Sequence, residues 1–179
     1  MSMFEKAPLR LESSYRDAIS HFATGVTVIT TTTESGHAGM TASAVTSLSL
    51  DPLQLLTCLR TELPTRSAIE LSGRFAVNVL GAHAEDLAIK FATPSADKFA
   101  GVPLVGGHPV PVLREAIAYF VCDLAAALPG GDHTIMVGNV VDCGHRADSQ
   151  PLVHFSRQFS EICTPATHER QARQHEMSW

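Results

Sequence analysis

The chain has 179 residues, 45% of them hydrophobic and 17% charged, with a formal net charge of -5; that is enough apolar mass for one buried core and too little length for a second full domain. Its 13 lysines and arginines are scattered among 18 acidic residues, which excludes a nucleic-acid partner, because phosphate neutralisation needs a clustered cationic face. No apolar run is long enough to span a bilayer, and residues 1–12 lack the apolar stretch and cleavage site of a secretion signal, so a cytoplasmic protein off the membrane is expected.

Ser13 or Ser14 is placed to cap a helix, because Tyr15, Ala18, Ile19 and Phe22 follow as one apolar stripe, with Gly25 as its expected end. Val26 to Thr32 is dense in β-branched residues and reads as a strand; Glu34-Ser35-Gly36 turns it into a second strand from Ala38. Ser47-Leu48-Ser49-Leu50 alternates, Asp51-Pro52 breaks it, and Leu53 to Leu59 resumes as a nearly continuous apolar strand, so two sheet segments are expected to meet at a corner. Thr65 is expected to cap a short helix that buries Ala68, Ile69 and Leu71 and ends at Ser72-Gly73.

Phe75 to Leu80 returns as a strand, and a helix is expected over Glu85 to Phe91. Thr93 to Arg114 is rich in Pro and Gly and suits a long surface excursion of the kind that covers ligands. Ile117 to Leu128, Thr134 to Cys143 and Leu152 to Phe155 supply three more strands. Residues 1–12 read as an N-terminal extension, 13–160 as one domain, and 161–179 as a polar, His-rich tail or helix. At least six closely spaced strands with three short helices favour a closed antiparallel barrel over a parallel α/β sheet.

The common catalytic signatures are missing: there is no GxGxxG, P-loop, HExxH or GxSxG. Cys58, Cys122, Cys143 and Cys163 have neither disulfide-framework nor zinc spacing and read as reduced apolar filler. His168 and His175 share a helical face but lack a third ligand, so no metal is expected. Gly39-Met40-Thr41-Ala42-Ser43-Ala44 can aim successive amides and hydroxyls at a phosphate or at the polar edge of a ring. On its residues alone it reads at least as well as a strand whose small side chains pack under a neighbour. His133, after Gly131-Asp132, is either an acid, base or donor at a strand start or an exposed turn residue beside a capping Asp132. A hydrolytic triad through both is disfavoured, since neighbouring strand residues point to opposite faces.

Taken in order, Phe22-Ala23-Thr24-Gly25-Val26-Thr27-Val28-Ile29-Thr30, Gly39-Met40-Thr41-Ala42-Ser43, Ser47-Leu48-Ser49-Leu50-Asp51-Pro52, Phe75-Ala76-Val77-Asn78-Val79-Leu80, Lys98-Phe99-Ala100-Gly101-Val102, Gly131-Asp132-His133-Thr134-Ile135 and Pro151-Leu152 resemble the flavin reductase family over residues 15–160. These are small NAD(P)H:flavin oxidoreductases that feed two-component monooxygenases. The resemblance implies a mainly β fold with short helices, a six-stranded antiparallel Greek-key split β-barrel, paired as a homodimer with the flavin near the subunit interface.

By position, it implies that Met40, Thr41, Ala42 and Ser43 meet FMN or FAD through main chain and hydroxyls. Cys58 and Leu59 would lie at the ring edge, Thr65 at the phosphate, and Phe91 would border the flavin. NADH or NADPH would meet His133 and the segment Ser156, Arg157, Gln158 and Phe159, where relatives often carry glycine and tyrosine in place of Arg157 and Phe159. Leu53 stands where many relatives have a second proline. Hydride transfer between stacked rings needs no essential protein acid, base or nucleophile. Two other readings remain: a flavin-binding or electron-transfer module without a nicotinamide site, and a flavin enzyme of the same fold acting on an organic substrate.

Overall fold

The computed structural model describes residues 8–147 and 149–162. In chain order it runs α1 (Pro8–Ser20), β1 (Thr24–Gly25), β2 (Thr27–Thr33), β3 (Gly36–Ala42), β4 (Val45–Leu50), β5 (Leu53–Arg60), α2 (Pro64–Ser72), β6 (Arg74–Leu80) and α3 (Glu85–Ala92). It continues with β7 (Leu104–Val105), β8 (Val112–Leu113), β9 (Ala116–Gly130), β10 (His133–His145), β11 (Leu152–Phe155) and β12 (Gln158–Glu161). The mainly β architecture with short helices is as expected.

The strand count and topology are not. The principal sheet has seven strands in the order β3-β2-β6-β9-β10-β5-β4, every pair antiparallel, in place of the expected six-stranded Greek key. The reason lies at Ser43-Ala44, where the extended chain leaves the ladder of β2 and joins that of β5. One continuous segment therefore forms both edges of the sheet. The Cys58 amide donates to the Ala44 carbonyl at 2.9 Å, which extends the β4–β5 pairing up to the point where the segment changes partner. A second sheet, β1-β11-β12, and the small pair β7-β8 complete the fold. Strand β12 (Gln158–Glu161) overlaps the segment that the resemblance assigns to the dinucleotide and that carries no strand expectation.

Alternation along the strands sorts side chains into separate clusters. Ile29, Leu55, Leu59, Phe75, Val77, Cys122 and Met136 fill the curled interior, and Ile69 of α2 joins them. On the other side of the same strands, Val28 and Leu80 pack with Ala88 and Phe91 of α3, while Ala76 and Val121 meet Val110 and Val112 of the long excursion. Strand β6 is buried on both faces, which is why Phe75 to Leu80 is apolar at every position but Asn78. On β5, by contrast, only Leu55, Thr57 and Leu59 turn inward.

Several local expectations need correction. Helix α1 begins at Pro8 and ends at Ser20, five residues before Gly25. Among the described residues nothing covers its stripe: Tyr15, Ile19 and Phe22 are all exposed. Asp51-Pro52 closes a hairpin in which Leu50 faces Leu53, not a corner, because the strands on either side pair with each other. Leu63, not Thr65, occupies the cap position of α2 and makes no side-chain cap bond; Thr65 is buried one residue inside the helix. Leu71 is 90% exposed, since the short helix presents only Thr65 and Ile69 to the core. Its end at Gly73, with φ 68°, is as expected.

Cys143 is exposed and Cys58 half-buried, so the reading of the cysteines as filler holds only for Cys122, whose thiol pKa burial pushes up to about 12. Cys163, His168, His175 and the expected tail lie outside the described residues, as do residues 1–7. Among the described residues, no helix is long and apolar enough to cross a membrane.

Candidate functional site

Three clefts share walls and run into one groove. The first, about 350 Å³, is bounded by Gly39, Met40 and Thr41 of β3, Thr65 at the start of α2, Phe91 of α3 and Lys98 of the excursion. The second, about 750 Å³, is walled by Thr24, Ser43, Leu56 and Cys58, with Ile19 and Phe22 of the α1 region alongside. The third, about 700 Å³, lies among Ile89, Pro94, His154, Gln158 and Phe159. Ala92 and Pro94 belong to the first and third clefts, and His154 and Arg157 to the second and third.

Local sequence explains each wall. Gly39 is required because a Cβ there would stand 2.7 Å from the Phe91 ring. The plainer reading of this stretch is therefore correct for Gly39, and partly for Thr41, whose hydroxyl donates to the Ala88 carbonyl at 2.6 Å. Ser43 and Ala44 are exposed where the strand changes partner; their carbonyls accept from Val45 and Cys58, so the group this turn offers a ligand is the Ser43 hydroxyl. Leu56 and Cys58 reach the second cleft because they alternate with the inward Leu55, Thr57 and Leu59.

The first cleft suits an anion. No side chain caps α2 at Leu63; Pro64 has no N–H and the Arg66 amide donates to the Leu63 carbonyl at 3.1 Å, so the first-turn donor offered at this cleft is the Thr65 amide. Lys98 supplies a cation. Its ammonium donates to the Phe91 carbonyl at 2.7 Å, and burial lowers its pKa from the ordinary lysine value. The second cleft is mostly apolar with hydroxyls at intervals, which suits a flat ring with a polar edge. Its wall holds an unsatisfied group: the Thr24 hydroxyl oxygen is buried and has no hydrogen-bond partner. A ring system bearing carbonyls and ring nitrogens fits such a set of hydroxyls.

Of the residues singled out from sequence, Met40, Thr41, Thr65 and Phe91 come together in the first cleft, Ser43 and Cys58 in the second, and Arg157, Gln158 and Phe159 in the third. Others stand apart. Leu59 is fully buried and Ala42 packs against the interior, so each can offer a ligand only its backbone. The Ser156 amide is bonded to the Ser20 carbonyl at 2.7 Å.

His133 lines none of these clefts. It sits at the β9–β10 turn, where its Nδ1 lies 2.7 Å from Asp132 Oδ1. This corrects the expectation that the two side chains diverge: Asp132 belongs to the turn rather than the strand, so strand alternation does not govern it. The hydrogen bond to His133 holds the Asp132 carboxyl below the usual range. Among the described residues, no serine or cysteine shares a hydrogen bond with this imidazole, so no hydrolytic relay is assembled.

Sequence reading did not assign Thr24 or Lys98 a role. The signal for Lys98 was a single lysine within a run of small and apolar residues. Thr24 gave none, because its lack of a partner is a tertiary property.

Residues 19–162 match the family described as Flavin reductase like domain. The reductase component of a 4-nitrophenol 4-monooxygenase/4-nitrocatechol 2-monooxygenase from Rhodococcus opacus is 39% identical over 151 residues, 84% of this chain and 81% of that protein. A flavin reductase (NADH) from Kitasatospora aureofaciens is 39% identical over 143 residues, 76% of this chain and 74% of that protein. The solved NADH:FAD oxidoreductase of Streptomyces globisporus, in complex with NAD and FAD fragments, superposes with a TM-score of 0.84 at 30% identity, over 91% of this chain and 99% of that one.

Proposed function

Because the chain belongs to the flavin reductase like family, we propose that it oxidises NADH, reduces a flavin held in the groove, and supplies that flavin to a partner monooxygenase. A flavin held there would supply the redox chemistry, with the residues of the groove holding it and the nicotinamide in register for hydride transfer. The protein's part is to bind, orient and exclude water.

The observation that carries this reading is the chemistry of the groove: an apolar slot with Ser43, Cys58 and Thr24, whose hydroxyl is unsatisfied, on its wall, and a first cleft that offers Thr65 and Lys98 to an anion, each sharing wall residues with the third cleft. In this reading the ring of FMN or FAD occupies the second cleft, with the amides and hydroxyls of residues 40–43 along its edge and Cys58 and Leu59 beside it. Phosphate meets the first turn of α2 at Thr65, and Phe91 closes the wall behind. The dinucleotide lies along the third cleft under Ser156, Arg157, Gln158 and Phe159. His133 stands outside the groove, and a nicotinamide contact for it rests on the family resemblance alone.

Purified protein titrated with FMN, FAD and riboflavin, followed by anaerobic NADH or NADPH, tests the reading. The expected result is saturable binding and bleaching of the flavin's visible absorption. Flavin that binds but is not bleached by either nucleotide would mark a binding module without hydride transfer. Bleaching that depends on a small organic acceptor, with no release of reduced flavin, would mark an enzyme acting on that acceptor.

A further inference from the structure

The turn between β11 and β12 contradicts its own backbone. Phe155 pairs with Gln158, which leaves Ser156 and Arg157 as a two-residue connection with φ of 49° and 62°. Two consecutive left-handed residues are the demand of a tight hairpin, normally met by Asn and Gly. Serine and arginine are strained there, and such strain persists where the residue serves another purpose.

Arg157 forms a wall of both the second and third clefts. Among the described residues lining the third cleft it is the sole lysine or arginine, and Glu85 lies on the same wall. An anion in that cleft therefore needs Arg157 to offset Glu85. Yet the guanidinium is already engaged: it donates through Nη2 to Asp17 of α1, with side chains 62% and 66% exposed. The other cation of the second cleft, Arg16, is bonded to Glu12 at 2.7 Å.

We propose that Asp17 is a resident competitor for Arg157, whose guanidinium recognises the phosphate groups of the nicotinamide dinucleotide, so that this pair sets the affinity of the site. The inference rests on the reductase reading above. An exposed ion pair is weak and easily exchanged, whereas guanidinium and phosphate form paired, charge-assisted hydrogen bonds. The dinucleotide thus displaces Asp17 at small cost. A flavin phosphate has the same chemistry, so the test separates the two sources.

Asp17→Asn frees the guanidinium, while Arg157→Asn removes the charge and keeps a residue that tolerates the left-handed backbone. The quantities to measure are KM for NADH at saturating flavin, the dissociation constant of NAD+ for flavin-free protein by calorimetry, and those of FMN and riboflavin by fluorescence quenching. Asp17→Asn is expected to tighten NAD+ and lower KM about two- to fivefold, the size of an exposed pair; Arg157→Asn is expected to weaken both about tenfold. In the Arg157→Asn background the Asp17 change should lose its effect, and raised salt should shrink both changes.

Opposite signs are the decisive feature, because a purely structural clip would make both variants worse. Two variants that shift in the same direction, or neither shifting, overturn the proposal. So does an effect that appears in FMN but not in riboflavin or NAD+, which would assign the arginine to the flavin phosphate. A wild-type protein that oxidises no nicotinamide with any flavin would instead defeat the reductase reading itself.

Discussion

Two threonines with buried, unpartnered hydroxyls, Thr24 and Thr57, differ only in what they face. Thr57 is fully buried within the sheet, whereas Thr24 borders the second cleft. A buried hydroxyl without a partner costs about 1–3 kcal/mol. Replacing either with the isosteric valine should therefore raise the melting temperature of ligand-free protein. Flavin affinity separates them: Thr24→Val should weaken FMN and riboflavin alike, by about tenfold, while Thr57→Val leaves both as they were. Equal flavin binding in both variants would show that Thr24 has no ligand role.

Lys98 gives a pH prediction from the same reasoning. Its folded pKa is lowered by burial, so the cost of burying its charge is present below that pKa and disappears as pH rises through it. The cation is then lost at a pH where an exposed lysine still carries it. The affinity advantage of FMN over riboflavin should decline below the ordinary lysine range in wild type and persist in Lys98→Arg, as titrations across alkaline pH would show. For His133, which stands outside the groove, Ala substitution should leave KM for NADH within about twofold if the geometry governs. A clear rise in that constant would favour the family-based role.

At the scale of elements, Asn78 decides how the long excursion is attached. It is fully buried within β6. Its amide donates to the Val28 carbonyl and to the Thr30 hydroxyl, each at 3.1 Å, and its Oδ1 accepts from the Leu113 amide at 2.8 Å. One side chain thus joins β2, β6 and the loop that carries Lys98 and Phe99 to the first cleft. Asn78→Ala strands several buried groups and should cost about 3 kcal/mol, read by denaturant unfolding. Flavin affinity should fall with it. The strand around Asn78 was legible from its apolar run, but the polar junction was not, because the partners of Asn78 lie 35 to 50 residues away in sequence. Similarly, α2 was legible from spacing and from Gly73, while its buried face was not: Ile69 and Leu71, two residues apart, lie on opposite sides of a helix, and only the packing decides which of the two meets the core.

At the scale of the molecule, the described residues leave apolar side chains of α1 and of the β4–β5 hairpin exposed. Tyr15, Ile19 and Phe22 are 64%, 49% and 71% exposed, and Leu50 on the β4–β5 hairpin is 82% exposed. An exposed apolar stripe such as that of Tyr15, Ile19 and Phe22 suits an association surface, and a homodimer is what the family resemblance proposes. Since Ile19 and Phe22 also line the second cleft, association and flavin binding should be coupled. Ile19→Glu is expected to shift the protein toward monomer in light scattering and to weaken flavin binding together; a monomeric wild type would refute the pairing.

Sequence by itself determined the β-rich architecture, the order of the longer strands and the helices, and the family resemblance. Those depend on local signals: β-branched runs, period-two alternation, glycine and proline at turns, and motifs carried in order along the chain. Only the tertiary structure decided that the strand broken at Ser43-Ala44 supplies both edges of a seven-stranded sheet, that Thr24 and Lys98 line the groove while His133 does not, and that Arg157 is held by Asp17. Each of these depends on which distant segments meet, and long-range contact is a property of the packed chain that no window of neighbouring residues contains.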